Sequence, residues 1–319
     1  MGGLFNKRMN ILGRRRLYFI VSAVLIVVCC VIVPLRGIHL GSEFTGGSSI
    51  IFKDTGDLTI GRMRSACSAT ALTDPVVQST YNVYTRESGF VIRSRTADLE
   101  LTSEAAARIT DRCELKPGQF TVSSLGSSWR QSATLSTVLS FATIVLILLI
   151  YQVIRLGLKA ALSAFVALLH TLLLVSGIYM SLGLTVTPTV VMVLFAVIGY
   201  SAYTSMLMLR RISENVDNIT SHSFVTVANH MVNQMLARTL NTSLALLVPL
   251  LAVLFFAGAT MSGFALMMII GVVVSPCSTI MIAVPIFTIL KQREPKYRRL
   301  LERYGEGLDE FTTAEQLGE

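Results

Sequence analysis

The stretch VVMVLFAVIGYSAYTSMLMLRR, residues 190–211, decides the architecture of this chain. Its first 20 residues carry no charge, and that is about the length of helix that crosses the hydrocarbon core of a bilayer. Two arginines then end the run. Only residues 199–205, GYSAYTS, interrupt its apolar character, and they bring hydroxyl groups without an acid. The stretch predicts a membrane-spanning helix with a polar middle.

The rest of the chain has the same character. Hydrophobic residues make up 52% of it, charged residues make up 14%, and the mean hydropathy is +0.64. Such values are typical of an integral membrane protein. Runs long enough to span a bilayer occur at Leu17–Pro34, Ala133–Ile154, Ala160–Ser181, Pro188–Leu209, Leu240–Ala257 and Gly263–Leu290. We therefore predict an all-α membrane bundle of six helices, with helix 1 in residues 17–35 and helices 2–6 within 132–290.

The distribution of basic residues predicts the orientation of this bundle. Arginine and lysine cluster in residues 1–16, in the tail 291–319 and in two connections between spans, whereas the connections near Gly183 and Gly258 have none. By the positive-inside rule, both termini are cytoplasmic and residues 36–131 form an extracytoplasmic domain. The chain is expected to be a multi-pass protein of the cell (cytoplasmic) membrane. Its basic residues orient it and contact anionic lipid, and they do not indicate nucleic acid.

Residues 36–131 follow a pattern of short elements. Strand-like segments lie at Ser48–Lys53, Val76–Tyr84, Gly89–Ser94 and Gln119–Ser124, and helix-like segments lie at Leu58–Leu72 and Thr102–Leu115. The order β-α-β-β-α-β predicts an α+β ferredoxin-like domain between helices 1 and 2. Cys67 and Cys113 both fall in this domain. The sequence is compatible with a disulfide between them and with two free thiols.

The connection between spans four and five has a helical pattern of its own. Residues 216–238 repeat apolar side chains at helical spacing opposite a polar side. We expect an amphipathic helix that lies on the cytoplasmic membrane surface before span five turns inward. Pro249 and Pro276 fall within spans five and six, where they should bend the helices and leave carbonyls for neighbouring helices to satisfy.

Signatures of catalysis are missing from the sequence. It contains no phosphate-binding loop, no cluster of metal ligands and no spacing typical of a nucleophile with its base, and its four histidines are scattered. We therefore expect no enzyme activity, no metal site and no cofactor.

Four segments carry a resemblance to one family. Gly41-Ser42-Glu43-Phe44-Thr45-Gly46-Gly47 resembles the G-x-D-F-T-G-G signature that follows the first span of the SecF family, with Glu43 at the position of its Asp. The other matches are 167–170 with A-L-x-H-D, 199–215 with G-Y-S-x-N-D-T…D-R-I-R-E-N, and 233–243 with N-x-x-L-x-R-T-x-x-T-S. They occur in the expected order, in the expected topology, across most of the chain.

The resemblance implies a SecF-like subunit that pairs with a SecD-like subunit. Each would supply six helices to a twelve-helix unit of the resistance-nodulation-division (RND) type, so that this chain is half of it. The pair would assist the SecYEG channel in moving a translocating polypeptide across the membrane at the expense of the proton gradient. Residues of the fourth match, near the start of span five, are expected to contact the partner's helices: Arg238, Thr239, Asn241, Thr242 and Ser243. Arg238 is also suited to anchor the helix at the lipid headgroups, and the two roles are compatible.

This chain departs from the family where a proton would bind. Thr171 and Thr204 stand at positions where the resemblance places Asp, and Arg210 stands where it places a third Asp. No acidic residue occurs between Glu114 and Glu214 or between Asp217 and Glu294, so the predicted spans contain no carboxylate. Intramembrane carboxylates are costly and are kept for proton relays, whereas hydroxyls hydrogen-bond without titrating usefully.

Two readings of the polar middle of span four remain open. Tyr200, Ser201, Thr204 and Ser205 fall within ~140° of helix circumference at 100° per residue. They predict either a groove for water or protons that has lost its titrating group, or hydrogen bonds that hold helices together; the second is favoured. His170 is the one ionisable side chain near the centre of span three. Without a carboxylate partner, we expect it to be neutral and to donate to Tyr200 or Thr204.

Other functions compete with the SecF-like one. An RND-type exporter of small molecules or lipids would also need a proton-coupling acid and usually has twelve spans in one chain, so it fits less well. A purely structural scaffold for the translocase is the third possibility. A partner chain with six spans and intramembrane Asp would favour the first function.

Overall fold

The computed structural model of the chain describes residues 10–37, 40, 44, 46–53, 55–56, 58–73, 75–82, 87–96, 98–116, 118, 120–125, 127–216, 222–256 and 258–305. The chain forms two compact units. The first contains Met1–Ile38, Ala142–Leu184 and Met192–Glu319, and the second contains His39–Phe141 and Thr185–Val191.

The described residues contain ten helices and four strands. In chain order they are α1 Arg15–Arg36, β1 Gly47–Phe52, α2 Ile60–Ser68, β2 Val76–Asn82, β3 Glu87–Ser94, α3 Leu99–Arg112, β4 Phe120–Leu125, α4 Ser127–Leu156, α5 Leu158–Ser181, α6 Pro188–Val216, α7 Phe224–Phe256, α8 Gly258–Ser278, α9 Val284–Gln292 and α10 Pro295–Tyr304. A 3-10 turn, Leu12–Arg14, precedes α1, and a π-helical turn, Thr279–Ala283, joins α8 to α9.

Six helices in the part of the chain that the structure describes are long and apolar enough to cross a membrane. They include α1, α4, α5, α6 and α7, and the sixth runs without a break from α8 through the π-helical turn into α9. Each coincides with a span predicted from the sequence, which supports a multi-pass membrane protein. Several extend past the predicted ends: α6 continues to Val216 and α7 begins at Phe224. Hydropathy marks only the part of a helix that is apolar enough for lipid, so it misses polar turns.

The helices of the first unit are packed to different depths. Just over half of the most apolar 18-residue window is buried in α5 and in the sixth spanning helix, but only 6% in α1 and in α4. Glycines allow two close approaches: a Cβ at Gly271 of α8 would overlap the Val197 side chain of α6, and one at Gly177 of α5 would lie 2.8 Å from the Cβ of Cys29. Small residues are the usual means of close packing between membrane helices.

Within its described ranges, the structure does not contain the separate surface helix that we predicted at residues 216–238. The residues from Phe224 onward are the first part of α7, one continuous helix, and their apolar side is buried in protein. Phe224 packs against the rings of Phe287 and Tyr297, with centroids 5.9 Å and 5.2 Å away. An amphipathic pattern shows that a face must be covered, but it does not say whether lipid or protein covers it. Residues 217–221 of the predicted segment lie outside the described residues.

Asn229 of α7 ties the start of the chain to this cluster. Its Oδ1 accepts hydrogen bonds from the backbone N–H groups of Ile11, at 2.9 Å, and Leu12, at 3.2 Å. Both leucine and isoleucine side chains are almost fully buried. The first N–H groups of a helical turn have no partner within it, so a side chain 217 residues further along the chain takes the place of a local cap.

The second unit is an α+β structure. Its four strands form one antiparallel sheet in the order β2-β3-β1-β4, and the chain runs through it as β-α-β-β-α-β, the order predicted from the sequence. Helices α2 and α3 pack against the sheet over a core that contains Ile50, Phe52, Met63, Ile92 and Ile109, all at most 1% exposed. Alternation along β1 places Ile50 and Phe52 on the side of the helices.

Glycine is required where β1 begins. Gly46 has a φ of 78° and Gly47 a φ of 152°, conformations that other residues rarely adopt. A Cβ at Gly47 would also overlap the carbonyl oxygen of Ser94 on β3, so only glycine fits there. Phe44 is half-buried. The remaining predicted signature residues, Gly41 and Glu43, lie outside the described residues.

Cys67 and Cys113 are free thiols in this structure. Both are buried in the same core, Cys67 on α2 and Cys113 just after α3. Burial, with a smaller contribution from the neighbouring Cys113, raises the pKa of Cys67 to about 11. Burial likewise raises the pKa of Cys113. The two thiols therefore pack as small apolar groups, and the disulfide that the sequence permitted is not formed.

Candidate functional site

Seven buried hydroxyl side chains meet where α5, α6 and the sixth spanning helix pack together. We call them the hydroxyl cluster: Thr171, Ser201, Thr204, Ser205, Ser275, Ser278 and Thr279. Thr204 is 6% exposed, and each of the others is at most 1% exposed. The sequence predicted the first four of these residues. It missed the three from the sixth spanning helix.

Contacts between α6 and the sixth spanning helix form the centre of the cluster. Thr204 Oγ1 lies 3.3 Å from Ser275 Oγ and 3.3 Å from Thr279 Oγ1. One residue further along α6, Ser205 Oγ lies 3.0 Å from Thr279 Oγ1. On the other side, Ser201 Oγ donates to Thr171 Oγ1 of α5 at 3.3 Å. The cluster thus links three helices through side-chain hydrogen bonds.

His170 binds a partner other than the expected one. Its Nδ1 lies 2.9 Å from Ser278 Oγ in the sixth spanning helix, so the predicted hydrogen bond to Tyr200 or Thr204 is wrong. Tyr200 instead hydrogen-bonds Ser243 of α7, with 2.9 Å between the two oxygens. The four polar residues of span four therefore do not serve one groove. Tyr200 contacts α7, and the other three face α5 and the sixth spanning helix.

The protons of the cluster can be assigned, because a hydroxyl has one proton to donate. Thr171 donates to the carbonyl of Ala167, Thr204 to that of Ser201, and Thr279 to that of Ser275. Each of these threonines therefore has only lone pairs left for the neighbouring helix. Ser201, Ser205 and Ser275 must be the donors in the contacts between helices. The paths through these three threonines end at backbone carbonyls, which accept a proton in a hydrogen bond but do not pass one on.

His170 is the exception within this part of the bundle. It is 7% exposed, and its Nε2 is buried without a hydrogen-bond partner among the described residues. Buried polar atoms are nearly always paired, so this nitrogen has spare hydrogen-bonding capacity. The spans predicted from the sequence contain no carboxylate, and the one acid of α6, Glu214, pairs with Arg210 near the end of that helix.

The local sequence of the sixth spanning helix explains why its hydroxyls face inward. Pro276 lies inside α8 and has no N–H for the carbonyl one turn earlier. Three residues later the helix widens into the π-helical turn Thr279–Ala283, an insertion that rotates the following residues around the axis. Ser275, Ser278 and Thr279 precede or begin that turn, and their i, i+3 and i+4 spacing places them on one side of the helix, where all three are buried. A Ser-Pro-x-Ser-Thr run inside an apolar span was the sequence signal for them.

The predicted partner-facing residues of α7 divide into two groups. Arg238 and Asn241 are exposed and Thr242 is half-buried. Thr239 and Ser243 are 8% and 6% exposed, and Ser243 is occupied by Tyr200 and by the Thr239 carbonyl. The expectation that all five contact a partner is therefore wrong for Thr239 and Ser243, which face the interior of this chain.

Helix α6 also has an exposed patch, which consists of two small residues and one tyrosine. Ala196, Gly199 and Tyr203 are exposed at spacings of three and four residues, on one side of the helix, and Tyr203 is 50% exposed. No atom lies within 4 Å of the position that a Cβ on Gly199 would take. We call these three residues the α6 stripe. As for metal sites, the described residues contain no group of three or more His, Cys, Asp and Glu that could bind an ion.

The chain is similar to proteins of one known family. The family model described as "Protein export membrane protein SecD/SecF, C-terminal" matches residues 105–293. Among curated relatives, the protein translocase subunit SecF of Streptomyces coelicolor is 24% identical over 91% of this chain and 78% of its own length. The SecF subunit of Mycobacterium tuberculosis is 27% identical over 93% and 71%, and that of Pseudomonas aeruginosa is 28% identical over 86% and 89%.

Two solved structures share the fold. The crystal structure of SecDF from Thermus thermophilus, a translocon-associated membrane protein, superposes with a TM-score of 0.73 at 24% identity and covers 92% of this chain. SecDF in its super-membrane-facing form gives a TM-score of 0.68 at 22% identity over 93% of this chain. In both cases, the present chain spans only 40% of the length of the SecDF chain.

Proposed function

The chain belongs to the SecD/SecF family of protein export membrane proteins, and from this membership we propose that it is a SecF-like accessory subunit of the Sec translocase. The observation that carries the proposal is the family match, which covers residues 105–293 and includes five of the six spanning helices. SecF relatives that align with about nine tenths of the chain support it. A SecD-like chain, the SecYEG channel and a translocating polypeptide are the partners we propose.

The orientation we propose has both termini in the cytoplasm and the α+β unit outside. Arg155 and Lys159 flank the junction of α4 and α5, and Arg210 and Arg211 lie in the last turns of α6, as the positive-inside rule requires for cytoplasmic ends. The sheet order and the β-α-β-β-α-β course of the second unit support its assignment as an extracytoplasmic ferredoxin-like domain.

The α6 stripe is the surface on which we propose that the SecD-like chain docks. Exposed Gly199 lets another helix approach closely, and the exposed Tyr203 hydroxyl offers it a hydrogen bond. Arg238 and Asn241 of α7 are further candidates for this contact. This chain matches only 40% of the SecDF chain. The remainder of a SecDF chain is therefore a second part that could cover these residues.

The contact with polypeptide is assigned to the α+β unit. Its edge strands, β2 with sequence VVQSTYN and β4 with sequence FTVSSL, carry no charged residue. Charged side chains are a common means of keeping an edge from pairing with another chain. An edge without them can pair with an extended chain through backbone hydrogen bonds, whatever its sequence, and a polypeptide in transit is extended.

The part we propose for the bundle is structural support without proton transfer. The spans predicted from the sequence contain no carboxylate, and the threonine protons of the cluster end at backbone carbonyls. Proton coupling then depends on acids that the SecD-like chain brings to the shared interface. The hydroxyl cluster, in this view, fixes the rotation and register of α5, α6 and the sixth spanning helix, so that the α6 stripe is presented correctly.

Copurification with the SecD-like chain tests the proposal. The full chain should copurify with it from membranes and should restore export of a secreted reporter in cells that lack their own SecF. Gly199→Trp should abolish copurification, because its bulk fills the docking surface at a position where a Cβ meets open space. Leu173→Trp, at a 57% exposed position of α5, is the matched control and should copurify normally. No copurification of the unmodified chain would refute the function; equal copurification of both variants would refute only the docking surface.

A further inference from the structure

Helix α10 lies beside the end of the sixth spanning helix instead of extending away from it. Tyr297 of α10 and Phe287 of α9 both pack against the ring of Phe224, at 5.2 Å and 5.9 Å between centroids. Ten residues of uninterrupted helix would have carried Tyr297 about 15 Å beyond Phe287. Leu300 and Leu301 pack against the same core. The chain therefore turns back on itself between Gln292 and Pro295.

Ion pairs hold this turn in place. Glu294 lies 2.9 Å from the Nζ of Lys159 and 3.4 Å from that of Lys291. Burial raises the pKa of Glu294, but the hydrogen bonds and charges of the two lysines outweigh it and leave the pKa below its ordinary value. The Lys291 ammonium also lies 5.3 Å from the centre of the Tyr297 ring. Helix α10 is thus fixed in orientation before any ligand binds.

The length of α7 indicates that α10 lies near the lipid headgroups of a bilayer that the bundle spans. Helix α7 has 33 residues and is therefore about 50 Å long, whereas a bilayer with its headgroups is about 40–45 Å thick. Phe224 is the first residue of α7, so with the far end of α7 at the opposite surface it lies at or just outside the headgroup layer. Tyr297 packs on Phe224, which brings α10 to the same level.

The outward side of α10 is basic. Its apolar side chains Tyr297, Leu300 and Leu301 are used in packing. The exposed residues are Lys296, Arg298, Arg299, Glu302 and Arg303. Glu302 forms an exposed pair with Arg298 at 3.1 Å, and the helix retains a net charge of +3 from these residues. We call this side the α10 basic face.

We propose that the α10 basic face binds the phosphate groups of anionic phospholipids in the cytoplasmic leaflet. The inference rests on the proposed orientation, which puts this end of the bundle in the cytoplasm. Arginine is suited to the ligand because its planar fork donates two hydrogen bonds to one phosphate. The cytoplasmic leaflet supplies anionic headgroups at the depth where α10 is held. An acidic protein would need a larger complementary surface than ten residues of helix offer.

Lipid composition is the variable of the test. The full chain is placed in nanodiscs of phosphatidylcholine alone or of phosphatidylcholine with phosphatidylglycerol, and amide hydrogen exchange of α10 is measured together with the phosphatidylglycerol that remains bound in native mass spectra. We expect phosphatidylglycerol to slow exchange in α10, and added salt to reverse the effect. Inorganic phosphate added to phosphatidylcholine nanodiscs should not reproduce it.

A double variant and a matched control separate lipid binding from general charge. Each basic residue near an anionic surface contributes about a fivefold increase in binding, so Arg298→Gln with Arg299→Gln should weaken retention of phosphatidylglycerol about 25-fold. Arg108→Gln, at an exposed arginine of α3 with an i,i+4 glutamate like that of Arg298, should change nothing. The proposal would be overturned if amide exchange of α10 were equal in the two lipid mixtures. It would also be overturned if the control variant lost as much phosphatidylglycerol, or if only an acidic cytoplasmic protein slowed exchange in α10. Copurification with the SecD-like chain, measured in parallel, tests the proposed function independently.

Discussion

Thr204→Val is the substitution that separates a packing role of the hydroxyl cluster from a proton-carrying one. Valine has nearly the volume and shape of threonine, so the change removes the Thr204 hydroxyl without opening a cavity. The hydroxyl makes two contacts to the sixth spanning helix, at 3.3 Å to Ser275 and 3.3 Å to Thr279. Hydrogen bonds between membrane helices contribute ~0.6 kcal/mol each. Because Thr204 and Thr279 both donate their protons to carbonyls, only the contact with Ser275 is a hydrogen bond, and the expected loss of unfolding free energy is about 0.6 kcal/mol.

The assay is unfolding of the purified full chain in mixed micelles with increasing sodium dodecyl sulfate. Thr242→Val is the control, because the Thr242 hydroxyl donates only to the Arg238 carbonyl of its own helix and links no second helix. Its effect on unfolding should be at most a few tenths of a kcal/mol. An equal effect of the two substitutions would show that the contacts of Thr204 between helices contribute nothing to stability.

Proton flux supplies the second readout of the same variant. In vesicles that contain this chain with its SecD-like partner, Thr204→Val should leave proton flux unchanged, because the Thr204 proton is donated to the Ser201 carbonyl and no carboxylate lies in the spans. A loss of flux in a variant that still folds and still binds the partner would refute this reasoning. The hydroxyl cluster would then be part of the proton path.

Three further predictions concern other contacts of the bundle. Gly271→Ala should lower unfolding free energy in micelles by ~1–3 kcal/mol, since its Cβ overlaps Val197; adding Val197→Ala should restore stability, and an unaffected single variant would contradict the close packing. Asn229→Ala should make the segment before α1 sensitive to protease, because two buried backbone N–H groups lose their acceptor; unchanged cleavage would count against that role. Glu294→Gln should cost under ~1 kcal/mol at neutral pH by weakening the pair with Lys159. Because the folded pKa is lowered, this contribution is lost as pH falls below the ordinary value of 4.5, so a wild-type advantage that persisted in acid would be inconsistent with it.

The sequence predicted the six spanning helices and the order of elements in the α+β unit for a simple reason. A span is a property of about 20 consecutive residues, and a strand or helix is a property of its own periodicity. Positions that demand a special backbone, such as Gly46 and Gly47, are also local. The features that the sequence predicted correctly are therefore those that one segment determines alone.

The hydroxyl contacts depend on how helices are rotated against one another, and one sequence does not contain that information. His170 and Tyr200 were placed at a similar depth, which a residue count can do, but their partners lie on different neighbours: Ser278 for His170 and Ser243 for Tyr200. Ser275 had no obvious role because serine within an apolar span usually bonds its own helix. Its importance comes only from Thr204 lying opposite.

The polar groups of the bundle differ in what they still have available for binding. Inside, the hydroxyls of Ser201, Thr204 and Ser205 are committed to neighbouring helices or to carbonyls, so they stabilise one arrangement and leave nothing for a ligand. On the outside of the bundle, α6 exposes the small residue Gly199 and the hydroxyl of Tyr203. A helix surface that contacted only lipid would favour large apolar side chains at these positions. The polar groups on the buried side of α6 have hydrogen-bond partners within the bundle, whereas the Tyr203 hydroxyl lies on the exposed side. Such a helix is suited to bind another helix. Such a bundle works by assembly, and its activity follows from what docks on α6.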